Sequence, residues 1–325
     1  MPYSPPFTLT NKMLDLSARF SELLGVWAGS GGAQLTPMLR RGNRIKTIQA
    51  SLEIEQNTLT IAQVTALVEG KVVLGAPREI QEVKNALTVY DALSNYKPAN
   101  EQDLLTAHRL LMMALVDDAG TYRQGGVGVF QQSKLIHMAP PAKQVPRLMR
   151  DLFNWLANTD LHPLLASCLF HYEFEFIHPF SDGNGRMGRL WQTVILSKWR
   201  AELAWLPVET IVRDQQQNYY AALAHADQQA EGTVFVEFML QALLNALEQV
   251  ISVNDEVNDE VSDGVKIKLD ALDKQLLSAC QKNAYITQAQ LALELGKSKS
   301  TIERRIRKLK SYCLCRIGSD KTGYW

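Results

Sequence analysis

The most informative part of the sequence is Ile177-His-Pro-Phe-Ser-Asp-Gly-Asn-Gly-Arg-Met-Gly-Arg-Leu190. It predicts that one helix ends near Phe176, that a loop of small and polar residues follows, and that a second helix begins near Gly185. The N-terminus of a helix offers unpaired N–H groups and the positive end of the helix dipole, and both favour anions. Glycines at positions 183 and 185 let the backbone approach phosphate oxygens, so the stretch predicts a phosphate-binding loop.

Charged side chains surround this loop. Arg186 and Arg189 are three residues apart, so they share one face of the second helix and point back over the loop. A guanidinium group suits bidentate contact with phosphate. The carboxylate of Asp182, among these cations, is best explained as a ligand for Mg²⁺, which needs few protein oxygens when phosphates supply others. His178, at the entrance of the loop, can accept a proton near neutral pH.

Each of these residues has an ordinary explanation when it is taken alone. A single His is usually a hydrogen-bonded loop residue, two Arg on a helix are usually solvated, and an Asp before a helix is usually its N-cap. Here they all occur within twelve residues, around two glycines. That combination favours a phosphate site over the separate explanations.

The same stretch resembles the signature of the Fic family, HxFx(D/E)GNGRxxR, at every specified position. The matching residues are His178, Phe180, Asp182, Gly183, Asn184, Gly185, Arg186 and Arg189. The resemblance implies a protein adenylyltransferase, which transfers AMP from ATP to Tyr, Ser or Thr hydroxyls of a target protein and can also modify itself. Doc-like relatives, which phosphorylate instead, carry Lys at position 185. The glycine found there therefore favours nucleotidyl transfer.

The resemblance also implies a role for each residue of the signature. His178 is the general base for the attacking hydroxyl, and Asp182 is the Mg²⁺ ligand. The backbone of residues 183–185, with Asn184, holds the α- and β-phosphates, and the two arginines hold the outer phosphates. Phe180 packs inward and fixes the loop. The nucleotide-binding stretch predicted in this way comprises Asp182, Gly183, Asn184, Gly185, Arg186, Met187, Gly188 and Arg189.

Two further parts of the chain are predicted to lie beside the nucleotide. Residues 125–130 and 135–138 are typical of a β-hairpin, joined by the polar Gln131-Gln-Ser133. The hairpin resembles the flap of the Fic family, which aligns the target segment by β-strand addition. Tyr219 matches a family position near the base, although it is equally well explained as a core aromatic, and Asp227 stands where the family has Asn. The flap residues beside the nucleotide are then Lys134, Leu135, Ile136 and His137.

An inhibitory segment is predicted before the catalytic part. Ser51-Leu-Glu-Ile-Glu55-Gln56 resembles the inhibitory motif (S/T)xxxE(G/N) of the Fic family, with Gln56 in place of the usual Gly or Asn. The resemblance implies that Ser51 and Glu55 form an inhibitory element and that Glu55 lies beside the nucleotide site. Arg189 needs an anionic partner when ATP is absent, and Glu55 is the predicted one. The alternative is a surface helix whose Glu is solvated.

The predicted fold is mainly α: a Fic-type helical core with a β-hairpin flap and a small C-terminal winged helix-turn-helix. We expect an N-terminal helical region with the inhibitory helix over 1–79, a catalytic domain over 80–250, an acidic linker over 251–265 and the winged module over 266–325. The periodicity of apolar residues predicts helices at 44–57, from about 60, 79–94, 100–113, 142–157, 164–176, 185–199 and 216–226.

The last sixty residues are basic, with 13 Lys and Arg against 5 Asp and Glu between Lys266 and Trp325. Capping patterns predict a short helix between Thr287 and Leu295 and a second helix at 300–311, followed by a two-stranded wing. Winged helices bind either DNA or proteins, so the partner stays open. The residues predicted for contact with DNA are Arg304, Arg305, Arg307, Lys308 and Lys310.

Composition limits the remaining functions. Apolar residues make up 46 % and charged residues 21 %, as in ordinary folded proteins. There is no run of eighteen apolar residues, no secretory signal at the start, and no zinc or disulfide spacing among the four cysteines. We therefore expect a cytoplasmic protein without a membrane partner. Two other functions stay open: an enzyme that removes AMP from a target, and a nucleotide-sensing regulator that binds DNA.

Overall fold

The computed structural model describes residues 3–29, 37–131, 134–263, 271–283 and 286–310. Within these ranges, no side-chain description covers residues 37–38, 128–131, 134–137, 253–263, 271, 274, 281–282, 307–308 and 310. The chain divides into two compact units, Met1–Asp255 and Glu256–Trp325. Each unit is described by itself.

The first unit begins with helices whose apolar faces are buried. Along α1 (Asn11–Gly29), the buried residues Met13, Leu16, Phe20, Leu24 and Trp27 follow a three-to-four spacing, which is the period of one helix face. The next helices are α2 (Pro37–Ile54), α3 (Ile61–Val68), α4 (Pro77–Asp91) and α5 (Glu101–Leu111). A capping box formed by Thr60 and Gln63 starts α3 at the predicted place.

Two helices at the centre of this unit carry the signature between them. They are α7 (Pro163–Ile177), which is buried along almost its whole length, and α8 (Asn184–Trp199). These two helices contact each other more extensively than any other pair of described elements. The helix before them is α6 (Val145–Asn158). Because both α7 and α8 lie in the core, the loop between them is held at both ends by packed structure.

Three further helices begin in this unit: α9 (Val208–Asp214), α10 (Gln216–Gln229) and α11 (Thr233–Asp263), of which residues 233–255 belong to it. Among the described residues, the segment Thr233–Ser252 is long and apolar enough to cross a membrane, yet 56 % of its most apolar window is buried in the structure. Its residues Phe235, Val236, Met239 and Leu243 belong to the hydrophobic core. Packing in the core therefore accounts for the hydropathy of this segment.

Two short antiparallel strands, β1 (Gly128–Gln131) and β2 (Lys134–Met138), precede α6. Gly128 pairs with Met138, and the register shifts between Val129 and Phe130. The residues that connect the strands, 132–133, lie outside the described part. The role of this region as a flap stays a prediction.

The second unit contains α12 (Ala271–Lys282), α13 (Gln288–Glu294) and α14 (Lys299–Lys310). The predicted capping box of Thr287 and Gln290 is present at the start of α13. A small core holds these helices together, and it comprises Leu276, Ala279, Cys280, Ile286, Leu291, Ile302, Ile306 and Leu309. The predicted wing, at 313–325, lies outside the described residues.

The structure also differs from the predicted organisation in two places. The expected division near residue 80 falls inside α4, and one hydrophobic core contains residues from Met13 to Val250, so the inhibitory region and the catalytic region share that core. The acidic repeat after Ser252 is helical, because α11 continues to Asp263. The other predicted helices between 79 and 226 correspond to α4, α5, α6, α7, α8 and α10, with ends displaced by a few residues.

Candidate active site

The loop between α7 and α8 holds the signature residues. His178 follows the end of α7 in the left-handed region, with a φ of 49° and a ψ of 63°. Its N–H still donates to the carbonyl of Phe174 at 2.9 Å, so the chain turns sharply while the last helical hydrogen bond is kept. Gly183, with a φ of 84°, then leads into α8. This turn brings His178 and the first turn of α8 to the same pocket.

Buried side chains brace the loop from inside. The amide oxygen of Asn184 accepts the N–H of Phe180, and its amide nitrogen donates to the carbonyl of Phe180, each at 2.9 Å. Asn184 is 2 % exposed. Its side chain therefore fixes the loop, while the predicted hold on the α- and β-phosphates by the backbone of 183–185, with Asn184, stays a prediction. Its backbone N–H, in the first turn of α8, is the group that can face an anion.

His108 on α5 is a second part of this frame. Its ring stacks on Phe180 with the centroids 3.6 Å apart. Its Nδ1 accepts the N–H of Gly120 at 2.8 Å, so the ring proton lies on Nε2, which donates to the carbonyl of Asp182 at 3.0 Å. Burial lowers the pKa of His108 to about 4. The ring is therefore neutral near pH 7 and holds the backbone in front of α8.

The side chains of Asp182 and Arg186 belong to a ring of alternating charges. Arg186 donates to Asp182 Oδ1 at 2.8 Å and lies 3.5 Å from Glu82 Oε1. Arg78 donates to Asp182 Oδ2 at 3.2 Å and lies 3.6 Å from the same oxygen of Glu82. Arg186 is 5 % exposed, whereas Asp182 is 40 % exposed. The exposed carboxylate beside α8 is therefore accessible to a ligand.

Arg189, one turn further along α8, is buried against the predicted inhibitory segment. Its Nη2 donates to Glu55 Oε1 at 2.8 Å and to the carbonyl of Ser51 at 3.0 Å, and its Nε donates to Ser51 Oγ at 3.1 Å. Burial lowers the pKa of Arg189, but the charge of Glu55 outweighs it, and the pKa lies above its usual value. The predicted pair of Glu55 and Arg189 is thus present in the structure.

The carboxylate of Glu55 comes close to the first turn of α8. A Cβ atom on Gly185 would lie 2.4 Å from Glu55 Oε1 and 3.0 Å from Arg189 Nη1. Any side chain at position 185 would therefore displace Glu55. Because helix N-termini attract anions, Glu55 occupies the kind of position that a phosphate group would take.

A pocket of about 670 Å³, including the space at its mouth, opens beside these groups. The predicted Tyr219 lines it and is 2 % exposed, with its hydroxyl 3.1 Å from His171 Nε2. The pocket lining comprises Glu55, Tyr172, Glu175, Phe176, His178, Gly185, Arg189, Tyr219, Tyr220, Leu223, Ala224 and Asp227.

Comparison with known proteins agrees with this geometry. A family model described as Fic/DOC family matches residues 98–196, and a model described as winged helix-turn-helix DNA-binding matches residues 269–312. The crystal structure of a Fic family protein from Desulfovibrio desulfuricans G20 is 48 % identical, covers 99 % of this chain and 98 % of that chain, and superposes with a TM-score of 0.78. The chain belongs to the Fic family.

Curated Fic relatives are more distant. Protein adenylyltransferase Fic from Nematostella vectensis is 30 % identical over 234 residues, which are 67 % of this chain and 51 % of that protein. The protein of the same name from Drosophila erecta is 30 % identical over 65 % of this chain and 43 % of its own length. The chain thus spans about half the length of these curated relatives. Fic-1 (aa134–508) from C. elegans, at 20 % identity over 76 % of this chain and 72 % of that one, with a TM-score of 0.60, shares the fold.

Some predicted nucleotide-binding residues of the Fic signature face away from the pocket. Met187 is fully buried in the hydrophobic core. Gly188 packs against Glu175 and His171. Both follow from the helical period, which turns these two positions of α8 inward. The flap side chains Lys134, Leu135, Ile136 and His137 lie outside the described part of the structure.

Arg123 connects the Fic loop to the strand pair, and the sequence analysis did not find it. It is 2 % exposed, and burial lowers its pKa. Its guanidinium donates to the carbonyls of His178 at 2.7 Å and Ile177 at 3.2 Å. It also donates to Gly125 before β1 at 2.8 Å and to Pro140 after β2 at 2.6 Å. One side chain thus holds both the backbone of His178 and the base of the strands.

Gln56 explains why Fic inhibitory motifs usually carry Gly or Asn at this position. Its φ is 70°, in the left-handed region. The N–H of Asn57 donates to Leu52 and the N–H of Gln56 donates to Glu53, which is the pattern of a Schellman C-cap. A residue with a Cβ is strained in this conformation, and glycine is not.

The residues missed by sequence reasoning share one property. His108 and Arg123 lie outside the signature, and neither belongs to a short motif. Both act through backbone carbonyls, and such contacts leave no spacing pattern in a sequence. A buried charge or imidazole is recognisable only when the burial is known.

The strain at Gln56 gives a testable expectation. Gln56→Gly should stabilise the end of α2 by about 0.5 to 1 kcal/mol, because glycine adopts a positive φ without a Cβ clash. Amide hydrogen exchange at residues 52–57 should then show about two- to fivefold higher protection. Lys46→Gly, at an exposed helical position of α2, should lower protection instead. Equal effects from the two substitutions would contradict the expectation.

Arg123 gives a second expectation. Arg123→Lys keeps the charge, but one ammonium group cannot reach four carbonyls. The loss of buried charge-assisted hydrogen bonds should cost about 3 kcal/mol and lower the thermal midpoint of the first unit by about 6 to 12 °C. Differential scanning calorimetry measures this midpoint. Arg150→Lys, at an exposed position of α6, is the control and should leave the midpoint unchanged. We call the four hydrogen bonds from Arg123 to backbone carbonyls the clamp of Arg123. A thermal midpoint unaltered by Arg123→Lys would show that this clamp does not contribute to the stability of the first unit.

Proposed function

We propose that this Fic protein transfers AMP from ATP to a hydroxyl group of a protein target. The observation that carries the proposal is that His178, the first turn of α8 and Arg189 all line the same pocket. A base, an anion-binding helix terminus and a buried cation are what nucleotidyl transfer to a hydroxyl requires. The name of the curated relatives, protein adenylyltransferase Fic, favours transfer over AMP removal and over nucleotide sensing alone.

The proposed reaction is an in-line attack of the hydroxyl on the α-phosphorus of ATP, with pyrophosphate as the leaving group. His178 takes the proton of the hydroxyl while the new O–P bond forms. The backbone N–H groups at 183–185 hold the α-phosphate oxygens, because they lie at the positive end of α8. Arg186 and Arg189 hold the outer phosphates. The site contributes mainly by placing the reactants and by neutralising charge.

Asp182 would hold Mg²⁺, which neutralises polyphosphate charge when it is bound. A single, partly exposed carboxylate fits this ion, since Mg²⁺ takes most of its ligands from phosphates and water. The described residues contain no group of three or more His, Cys, Asp or Glu that could hold a metal ion. Oδ1 of Asp182 accepts hydrogen bonds from the N–H of Gly183 and from Arg186, whereas Oδ2 accepts one from Arg78 and keeps a lone pair for the ion.

The proposal includes autoinhibition by Glu55. The bond between Glu55 and Arg189 occupies the guanidinium that would hold the γ-phosphate. ATP can then bind with its α-phosphate out of line for attack, so inhibition acts on geometry more than on affinity. The alternative role for Glu55, alignment of a water molecule for AMP removal, has no support from the names of the relatives.

The strands β1 and β2 are the proposed docking site for the target. A pair of strands can accept a target segment as a further strand, and main-chain hydrogen bonds then fix the hydroxyl in place. The clamp of Arg123 supports this proposal, because it ties the base of the strands to the backbone of His178. A segment of a second copy of the chain would fit the same surface, which is the proposed route of self-modification.

The function is tested with α-labelled ATP, Mg²⁺ and lysate. Glu55→Gly should raise label incorporation about 10²-fold, because misplaced reacting groups cost about that factor. Glu53→Gly is the matched control: Glu53 pairs with the partly buried Arg213 and not with Arg189. Adding His178→Ala to Glu55→Gly should lower incorporation again by about 10²- to 10⁴-fold. Equal incorporation by wild type and Glu55→Gly would remove the autoinhibition, and full activity without His178 would remove the base.

A second proposal concerns the C-terminal unit, which we infer binds DNA through α14. The matching family model, described as DNA-binding, supports it. Arg304 is exposed on α14, as a DNA contact must be. Arg305, also predicted as a contact, donates instead to the buried Asp273 at 3.1 and 3.2 Å. The side chains of Arg307, Lys308 and Lys310 lie outside the described part.

Fluorescence anisotropy with a mixed-sequence duplex tests this inference on the full chain. Binding should weaken with salt, because phosphate contacts release counterions. Arg304→Ala should reduce the slope of log affinity against log salt by about 1. Arg150→Ala, on α6 of the first unit, should leave it unchanged. If the affinity for the duplex changes neither with salt nor with Arg304→Ala, a protein is the partner of this module.

We also propose the cytoplasm as the compartment. Cys168 and Cys280 are buried thiols, and burial raises the pKa of the Cys168 thiol to about 12. A thiol of this kind is unreactive and packs as an apolar group.

A further inference from the structure

Glu175 is a buried carboxyl group at the pocket that the proposed mechanism does not use. It lies on α7, three residues before His178, and its side chain is 10 % exposed. Its Oε2 is 3.8 Å from His178 Nδ1, and its Oε1 is 3.8 Å from His171 Nε2. Within the described residues, Oε1 has no hydrogen-bond partner. A buried polar atom without a partner is costly and needs an explanation.

The neighbouring helix leaves room for this group. A Cβ atom on Gly188 would lie 2.7 Å from Glu175 Oε1 and 2.9 Å from His171 Cδ2. Glycine at position 188 of the signature is therefore required by the close approach of α7, and Glu175 occupies the space that glycine leaves.

His171 does not supply a charge for Glu175. Its Nδ1 lies 2.9 Å from Gln192 Oε1, and Gln192 Nε2 donates to Cys168 Sγ. The amide oxygen thus faces His171, so Nδ1 carries the ring proton and Nε2 accepts from the Tyr219 hydroxyl. Burial lowers the pKa of His171 to about 3. His171 is therefore neutral, and His178 is the other imidazole beside Glu175.

We propose that Glu175 is a positioning residue for His178. It accepts the Nδ1–H of His178, which leaves the Nε2 lone pair directed at the target hydroxyl. When Nε2 takes the hydroxyl proton, the O–P bond forms, pyrophosphate leaves, and the carboxylate of Glu175 stabilises the imidazolium. This inference rests on the proposed role of His178 as the base. Closing the gap of 3.8 Å requires a change of about 1 Å.

The charges around Glu175 connect this role to release of the inhibitory segment. Burial raises the pKa of Glu175 to about 8; Arg189 lowers it and Glu55 raises it. Removal of Glu55 therefore lowers this pKa and favours the carboxylate that the imidazolium needs. The groups that face Glu175 are His171 and His178 on α7, Arg189 on α8, Glu55 at the end of α2, and Tyr219 and Tyr220 on α10.

The test uses Glu55→Gly as the parent, with the full chain and no nucleotide. Titration of the ¹³Cε1 signal of His178 should show that Glu175→Gln lowers its pKa by about one unit or more, because an opposite charge within 4 to 6 Å raises a histidine pKa by about 1 to 3 units. Glutamine has nearly the same size, so the fold is preserved. Glu173→Gln is the matched control. Glu173 is also buried on α7, but it accepts from Tyr3 and does not face His178.

Kinetics give an independent measurement. With Glu175→Gln, kcat should fall at least tenfold, the KM for ATP should stay within about twofold, and the acidic limb of the kcat profile should move to lower pH, since His178 then loses its proton at lower pH. An unchanged His178 pKa would overturn the inference. So would a raised KM at constant kcat, which would make Glu175 a nucleotide contact. If the parent Glu55→Gly shows no transfer activity, the proposed function is overturned. The titration of His178 would still show whether Glu175 interacts with it.

Discussion

The structure depends on the buried charge of Arg189. A guanidinium in the core needs an anion nearby, because an unpaired buried charge is strongly destabilising. Glu55 supplies this anion from the end of α2, which belongs to the same hydrophobic core as α8. The segment that carries Ser51 and Glu55 is therefore part of the folded first unit. A ligand that brings its own negative charge competes with Glu55 for one binding partner, and the site exchanges one anion for another.

The catalytic loop is held by backbone contacts from several directions. Asn184 braces it from within, His108 supports it from α5, and Arg123 joins it to the base of the strands. Each of these side chains is buried, so their hydrogen bonds do not compete with water. This arrangement explains how His178 can keep a left-handed backbone conformation at the end of α7. Strain at one residue is tolerated because its neighbours are fixed.

The sequence predicted the parts of the site that follow from spacing along one helix. Arg186 and Arg189 share a face of α8, and Glu55 reaches Arg189, because a motif specifies each of them. It did not predict His108 or Arg123, because both bond to backbone carbonyls that are distant in the sequence. It did not predict Glu175 either, because no sequence motif links this residue to His178, three positions later. The amide of Asn184 bonds to the backbone of Phe180, a contact that only the folded loop creates, so this bracing could not be predicted from spacing.

The absence of a side chain at Gly185 restricts how this protein can evolve. Glu55 Oε1 lies where a Cβ on that residue would stand. A lineage that places a larger residue there, such as the Lys of Doc-like relatives, loses the space in which this carboxylate rests. The glycine in this loop and the glutamate that follows α2 therefore depend on each other for space, and a larger residue at position 185 requires a different conformation or a different residue at position 55.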